Sequence, residues 1–240
     1  MASNYTVRAI RNVLPYRVQW ILFFLYGCLK RPLKSYSQKG EDAVLDCYFG
    51  RRGDLYYLDI GCFHPVWASN TYLFHRRGWR GAVVDIDKDK LRSFRFLRRS
   101  RVVAIFAAVV GNPVAAETVP VYKFKNYSGW SLIDTLDKNT ADINRSKGWG
   151  DYRVESAPVV DINSLLQSLP PVNFLNIDVE GIDKEIVASI DLTRFKIDAI
   201  LFEDLRCDTV SEKVENHLIK HGYRPLFRSG GGLCYVLSRP

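Results

Sequence analysis

The sequence contains few cysteines, and no two of them lie close together. Five are spread over 240 residues without a C-x-x-C pair: Cys28, Cys47, Cys62, Cys207 and Cys234. Zinc and redox sites of the common kinds use such a pair, so neither is indicated. An odd number of widely spaced thiols favours a reducing compartment, and we therefore expect a cytoplasmic protein.

The sequence also lacks an apolar run long enough to cross a bilayer. The uninterrupted apolar stretch Trp20–Leu29 is shorter than the roughly 20 residues that a spanning helix needs. No small-residue cleavage motif follows it, so a removable signal peptide is not predicted either.

Acidic residues are absent from the first 34 positions. This segment carries basic residues only: Arg8, Arg11, Arg17, Lys30, Arg31 and Lys34. The formal net charge of the chain is +8, so the remainder is nearly balanced, which disfavours a nucleic-acid enzyme. Cations around an aromatic apolar stretch suit peripheral contact with the inner face of an anionic membrane. A helix packed on the catalytic domain or on a second subunit, as in a homo-oligomer, fits equally well.

Downstream of this segment, strands and helices alternate. Residues 35–240 therefore form one predicted domain, an α/β fold with a mostly parallel, doubly wound sheet that ends in an antiparallel hairpin. Residues 125–157 are polar and rich in turns, and we expect them to cover the active site. The predicted strands are Leu55–Ile60, Ala82–Ile86, Val102–Val110, Val172–Ile177, Ala199–Phe202, Arg224–Phe227 and Leu233–Leu237, with Thr118–Phe124 as a candidate for an added strand.

Carboxylates and a glycine mark the ends of the predicted strands, where ligands bind in such sheets. Gly61 follows the first strand and allows a ligand to approach the backbone, while Asp85 can accept both hydroxyls of a ribose. The G-x-G-x-x-G fingerprint is absent, because Cys62-Phe63-His64-Pro65 follows Gly61. An adenosine ligand without a pyrophosphate is therefore favoured.

Five short strings occur together and in order: Ser37-Gln38-Lys39-Gly40-Glu41-Asp42, Leu58-Asp59-Ile60-Gly61-Cys62-Phe63-His64-Pro65, Ser69-Asn70-Thr71, Gly78-Trp79-Arg80-Gly81 and Asn176-Ile177-Asp178-Val179-Glu180-Gly181. From about Ser35 to Asp204 the chain resembles the FkbM-type methyltransferases. The resemblance implies a class I methyltransferase fold, S-adenosylmethionine as donor, and O-methylation of sugars or other hydroxylated natural products.

The resemblance also implies which residues hold the donor. Asp59 and Gly61 would meet its methionine part and Asp85 its ribose, and Glu41 and Asn70 are further candidates. Ile86 stands where many relatives have proline. Ala107-Ala108 offers no polar side chain to recognise the adenine, which leaves backbone groups for that task.

Three residues are candidates for acting on the acceptor hydroxyl. His64 follows the donor-binding turn and is a candidate base, although it can equally orient the loop through a hydrogen bond. Asp178 and Glu180 can act as base, bind sugar hydroxyls or, with Glu203, bind a divalent cation.

Further polar, aromatic and basic residues are candidates for ligand contacts or for structural roles. Ser69 and Asn70 can contact the ligands or cap a helix, and Glu41 can reach the donor pocket or complement a helix dipole. Aromatic residues of the polar segment can stack on sugar rings: Tyr127, Trp130, Trp149 and Tyr152. The basic helix containing Arg92, Arg95, Arg98, Arg99 and Arg101 is expected to present a solvated face.

Three functions remain open from the sequence. The first is an O-methyltransferase for a glycan or lipid-linked sugar at the cytoplasmic face of a membrane. The second is a soluble O-methyltransferase for small natural products. The third is a non-catalytic binding module on a methyltransferase fold, against which Asp59, Gly61 and Asp85 argue.

Overall fold

A computed structural model describes residues 35–124, 131–204 and 208–238, together with the single positions Val18, Ile21, Leu25 and Leu29. Tyr127, Trp130, Cys28 and Cys207 lie outside the described residues. The predictions for residues 1–34 can therefore be compared with the structure only at the four single positions.

The main sheet has seven strands: β1 (Tyr56–Ile60), β2 (Arg80–Asp85), β3 (Val102–Phe106), β7 (Phe174–Ile177), β8 (Ala199–Glu203), β9 (Tyr223–Ser229) and β10 (Gly232–Leu237). They lie in the order β3-β2-β1-β7-β8-β10-β9. All neighbouring pairs are parallel except those of β10, which runs antiparallel to both β8 and β9. This confirms the doubly wound sheet with a terminal hairpin.

Helices connect the strands on both faces. They are α1 (Glu41–Phe49), α2 (Tyr72–Arg76), α3 (Lys88–Arg98), α4 (Lys138–Ser146), α5 (Ile162–Gln167), α6 (Asp183–Ala188) and α7 (Thr209–Lys220), with a 3-10 turn at Arg99–Arg101. Aspartates begin several of them: the side chains of Asp87, Asp137, Asp161 and Asp208 accept backbone N–H groups of the first turns of α3, α4, α5 and α7. Each thereby satisfies amide groups that the helix itself leaves unpaired.

Two apolar cores lie on opposite faces of the main sheet. Along β1 the side chains alternate, so that Leu58 and Ile60 pack in one core and Tyr57 in the other. The first core includes residues of α5, α6 and α7, and the second includes residues of α1, α2 and α3. Burial on both faces explains why these strands are apolar almost throughout.

A second, smaller sheet contains the added strand Thr118–Phe124 that the sequence predicted, but its other two strands depart from the prediction. The apolar run 102–110 divides at Ala107 into β3 and β4 (Ala108–Val110), and β4 pairs with β6 (Tyr152–Asp161), which also pairs with β5 (Thr118–Phe124). The run divides because β3 follows β2 only as far as Phe106, which lies opposite Asp85 at the end of that strand. The expected cover segment 125–157 therefore contains α4 and the first part of β6.

The four described positions of the N-terminal segment are helical and exposed: Val18, Ile21, Leu25 and Leu29. Their spacing of three, four and four residues places them on one helical face. Within the described residues, no helix has both the length and the apolar character needed to span a membrane. The described cysteines, Cys47, Cys62 and Cys234, are free thiols.

Candidate functional site

A cavity of about 550 Å³ opens at the carboxyl ends of β1, β2, β7 and β8. Its wall brings together the predicted site residues of the sequence: Glu41, Asp59, Gly61, His64, Asn70, Asp85, Asp178, Glu180 and Glu203. Chain segments that are far apart in sequence thus meet at the edge of the sheet where the fold predicts a ligand.

Asp59 lies at the floor of the cavity, and both of its carboxylate oxygens are engaged. Oδ2 accepts the Thr71 hydroxyl at 2.6 Å, and Oδ1 accepts the Asn176 amide at 2.8 Å. Burial raises the pKa of Asp59, while the Thr71 hydroxyl, the charge of Arg98 and the Asn176 amide oppose that rise. Asn70 donates its amide to Asn176 at 2.9 Å, so these side chains form one connected polar floor.

Arg98 is a buried residue that the sequence interpretation assigned to a solvated face. Only 1% of it is exposed. Its guanidinium donates to Pro65 O, Ser69 Oγ, Thr71 Oγ1 and Tyr57 Oη at 2.8 to 3.1 Å. Through its hydrogen bonds to Pro65 and Ser69 it therefore fixes the loop between β1 and α2. The available sequence signal is spacing, since Arg98 lies on the same helical stripe as the buried Leu91 and Phe94.

Gly61 is required by the backbone that surrounds it. Its φ is +79°, and a β-carbon there would lie 1.7 Å from the carbonyl oxygen of Asp178. The Asp178 N–H donates to Ile60 O at 2.9 Å, which draws the two strand ends together. The group that approaches Gly61 closely is thus the neighbouring strand end, whereas the sequence predicted the approach of a ligand, which stays a prediction.

Asp85 ends β2 beside a buried lysine. Its Oδ1 accepts the Asp87 N–H at 2.7 Å, and its Oδ2 lies 3.5 Å from Lys90 Nζ. Burial raises the pKa of Asp85 to about 6, although the Lys90 charge works against it. Burial alone would lower the pKa of Lys90, but the carboxylates of Asp85, Asp134 and Asp87 raise it overall. Sequence reasoning missed Lys90, since a lysine on a basic helix usually faces solvent.

His64 is fully buried at the cavity wall. Its Nδ1 accepts the backbone N–H groups of Val66 at 3.1 Å and Trp67 at 3.0 Å. An Nδ1 that accepts hydrogen bonds places the ring proton on Nε2 in the neutral imidazole. These contacts favour the loop-orienting role over that of a base, because protonation at Nδ1 would break both hydrogen bonds.

Asp178, Glu180 and Glu203 form a carboxylate cluster. Each offers one oxygen, and the three oxygens lie within 4.8 Å of one another. Asp183 fixes the turn that carries the first two, since it accepts the N–H groups of Val179 at 2.9 Å and Gly181 at 3.1 Å. Glu180 itself has a φ of +58°, an unusual conformation for a residue with a side chain.

The pKa values of all three residues of the carboxylate cluster are raised. Burial raises the pKa of Asp178 and of Glu180, and the neighbouring carboxylates Asp183 and Asp178, respectively, add to the rise. Burial and the charge of Asp178 raise the pKa of Glu203 to about 7. Three carboxylates in one half-buried place can bind a divalent cation or share protons near neutral pH.

The remaining candidates lie around the mouth of the cavity. Glu41 is buried and accepts the Lys39 N–H at 2.9 Å. The hairpin turn after β9 contributes Ser229, Gly231 and Gly232 to the wall. Trp149, which is 54% exposed, lines the cavity, whereas the Tyr152 hydroxyl donates to Asp142 at 2.6 Å. The part of the expected cover that the structure describes thus contributes a wall residue able to stack on a sugar.

Comparisons with known proteins identify one family. The family described as the Methyltransferase FkbM domain matches residues 59–225, which include the floor of the cavity and the carboxylate cluster. No curated protein matches the chain.

Solved structures show weak similarity. A precorrin-6y C5,15-methyltransferase from Geobacter metallireducens is 17% identical, with 86% of this chain and 91% of that chain covered and a TM-score of 0.42. An O-methyltransferase from Bacillus cereus in complex with SAH is 11% identical, with 97% of each chain covered and a TM-score of 0.44. A TehB-like SAM-dependent methyltransferase from Corynebacterium glutamicum is 10% identical, with 85% and 89% covered and a TM-score of 0.39.

Proposed function

This chain belongs to the FkbM methyltransferase family, and we propose that it methylates a hydroxyl group of a glycan or lipid-linked sugar. It is an S-adenosylmethionine-dependent methyltransferase with a class I fold. The proposal concerns the acceptor, the means of its deprotonation and the place where the reaction occurs.

The donor fits the cavity by the chemistry of its wall. Asp85 at the end of β2 would accept the ribose hydroxyls, and the polar floor of Asp59, Asn70 and Asn176 would meet the methionine part. When bound, S-adenosylmethionine would supply a methyl group on a sulfonium: the acceptor oxygen would bond to the methyl carbon as the carbon–sulfur bond breaks, S-adenosylhomocysteine would leave, and the proton of the hydroxyl would pass to a basic group of the site.

The carboxylate cluster is the observation that carries the proposal for the acceptor. Methyl transfer to an alcohol needs the oxygen aligned behind the methyl group and relieved of its proton. Asp178, Glu180 and Glu203 line the same cavity as the donor residues. A sugar presents adjacent hydroxyls, which suit a group of carboxylates or a cation that they hold.

We further propose that the carboxylate cluster binds a divalent cation such as Mg²⁺ or Mn²⁺. Hard cations prefer carboxylate oxygens, and a cation would offset the burial and the mutual repulsion that together raise the pKa values of the cluster. When bound, it would lower the pKa of a coordinated acceptor hydroxyl. Trp149 would add a flat aromatic surface for the C–H face of a sugar ring.

The experiment for the reaction is an acceptor screen that measures released S-adenosylhomocysteine. We expect methylation of glycans or lipid-linked sugars, loss of most activity in Glu203→Gln, and no loss in Glu185→Gln, an exposed carboxylate on α6. Glu203→Gln should still bind S-adenosylhomocysteine. Transfer to small natural products but to no sugar would overturn the acceptor class.

The cation is tested separately by titrating Mn²⁺ into the protein. Binding should weaken at least tenfold in Glu180→Gln and Glu203→Gln and remain unchanged in Glu185→Gln. Equal affinity in all variants, or full activity in a chelator, would contradict a cation at the cluster.

We also propose that the N-terminal segment rests on an anionic membrane surface. Its described apolar positions share one exposed face, and the first 34 residues carry basic charges without acidic ones. This would bring the site to a lipid-linked acceptor at the cytoplasmic face.

A matched pair of variants tests the membrane proposal. Ile21→Ser should reduce sedimentation with vesicles containing phosphatidylserine, whereas Ile219→Ser on α7 should not, although the two isoleucines are 48% and 52% exposed. Equal sedimentation of both variants would instead favour packing of this segment on protein.

A further inference from the structure

A buried aspartate beside the donor residues has an acceptor atom without a donor. Asp134 belongs to the segment after the undescribed residues 125–130, and the segment is held by two backbone hydrogen bonds between Tyr122 and Thr135 at 2.9 and 3.2 Å. Only 8% of Asp134 is exposed. The hydrogen bonds to Tyr122 therefore fix the position of Asp134 relative to the small sheet.

The two carboxylate oxygens of Asp134 differ. Oδ1 accepts the backbone N–H of Phe124 at 2.9 Å. Oδ2 is equally buried, and no N–H or O–H group of the described residues donates to it. A buried acceptor of this kind carries a free-energy penalty that a ligand with a suitable donor would remove.

Asp134 lies in the part of the cavity wall that contains the ribose candidate. Asp85, Ile86, Ala108 and Lys90 line the same cavity. The charge of Asp134 influences the pKa of both Asp85 and Lys90, so the three groups are close enough to interact. Ala107 and Ala108 bring no polar side chain to this region, which leaves Asp134 as a side-chain acceptor beside them.

We infer that Asp134 determines the specificity for the donor's base: its Oδ2 accepts a hydrogen bond from the exocyclic amine of adenine. A carboxylate can only accept; adenine carries the amine donor at C6, where hypoxanthine has a carbonyl group and, beside it, a proton on N1. The ribose hydroxyls are left to Asp85. This inference rests on the proposed use of the cavity for S-adenosylmethionine.

The test compares two ligands whose bases differ only at C6 and at the adjacent N1. We expect the unmodified protein to bind S-adenosylhomocysteine at least tenfold more tightly than S-inosylhomocysteine, which has a carbonyl in place of the amine. In Asp134→Asn the side-chain amide can donate to that carbonyl. The preference should then fall below threefold or reverse.

Asp151→Asn is the matched control, because Asp151 is an exposed aspartate of the same region; it should keep the unmodified preference. Thermal unfolding of each variant shows whether the fold is retained. An unchanged preference in folded Asp134→Asn overturns the inference. The inference is also overturned if Asp134→Asn loses only its discrimination against 2′-deoxyribose or 3′-deoxyribose analogues, because Asp134 would then contact the ribose and not the base. Absence of S-adenosylhomocysteine binding in the unmodified protein would count against the donor site itself.

Discussion

Arg98 and Asp59 are joined through one hydroxyl group. Arg98 Nη1 donates to Thr71 Oγ1 at 2.9 Å, and Thr71 Oγ1 donates to Asp59 Oδ2 at 2.6 Å. The buried cation on α3 thus compensates a buried carboxylate at the end of β1, and the same cation holds the loop between them. Arg98 therefore gives electrostatic support both to the floor of the cavity and to the loop between β1 and α2.

The first prediction concerns this support. Arg98→Met should lower the free energy of unfolding by about 3–5 kcal/mol, since removing one partner leaves buried polar groups uncompensated. Arg92→Met, at an exposed ion pair with Asp89, should change it by less than about 0.5 kcal/mol. Urea denaturation measures both values, and similar values for the two variants would contradict a supporting role for Arg98.

The second prediction concerns the close approach at Gly61. Gly61→Ala should destabilise the protein more than Gly222→Ala by about 1–3 kcal/mol, the usual effect of overpacking. Both glycines have positive φ, at +79° and +85°, but a β-carbon at Gly222 meets only Leu237 Cδ1 at 3.8 Å. The comparison therefore separates backbone strain from the clash with Asp178, and equal losses in thermal and urea unfolding would argue against the clash.

The third prediction separates the two roles of His64. In His64→Asn the side-chain oxygen can still accept the N–H groups of Val66 and Trp67, but the residue can no longer act as a base. We expect His64→Asn to retain kcat within about fivefold and His64→Ala to lose stability. A loss of about 10²-fold or more in the kcat of a stably folded His64→Asn would restore the general-base role.

The fourth prediction is a pH dependence of stability in a chelator. Burial and the charge of Asp178 raise the pKa of Glu203 to about 7, so at mildly acidic pH this carboxyl holds more of its proton in the native protein than in the unfolded chain. The contribution of Glu203 to stability is therefore fully present below its ordinary pKa and is lost as the pH rises through 7. Glu203→Gln should flatten the fall between pH 5 and 8, and Glu185→Gln should not. An unchanged slope in Glu203→Gln would contradict the raised pKa.

Most strands of the main sheet and several helix starts could be predicted from the sequence. Lys88–Arg98 forms α3, because Asp87 caps it and Leu91 and Phe94 recur at helical spacing. The carboxylates of the site were also predictable, since parallel strands end at one edge of the sheet.

The parts that escaped prediction depend on partners distant in sequence. β6 carries Arg153 and Glu155 and forms because β5 and β4 flank it, which no local pattern of residues 152–161 announces. The burial of Arg98 and Lys90 likewise depends on partners such as Ser69 and Asp85, which other segments bring to them. Exposed and buried basic residues look the same in a sequence when the compensating group is elsewhere in the chain.

The residues that line the cavity extend in sequence from Gln38 to Gly232. A single break in the chain would therefore divide the site between two fragments. A break in the exposed stretch 112–117 would leave Asp59 and Asp85 on one fragment and Asp134 and Glu203 on the other. Neither fragment would contain a complete site, so a bound ligand would contact both fragments and stabilise their association. Its contribution to reassembly would grow as RT ln(1 + [L]/Kd), about 2.7 kcal/mol at a hundredfold excess over Kd. The divided chain would then serve as a sensor whose assembly reports the concentration of its own methyl donor.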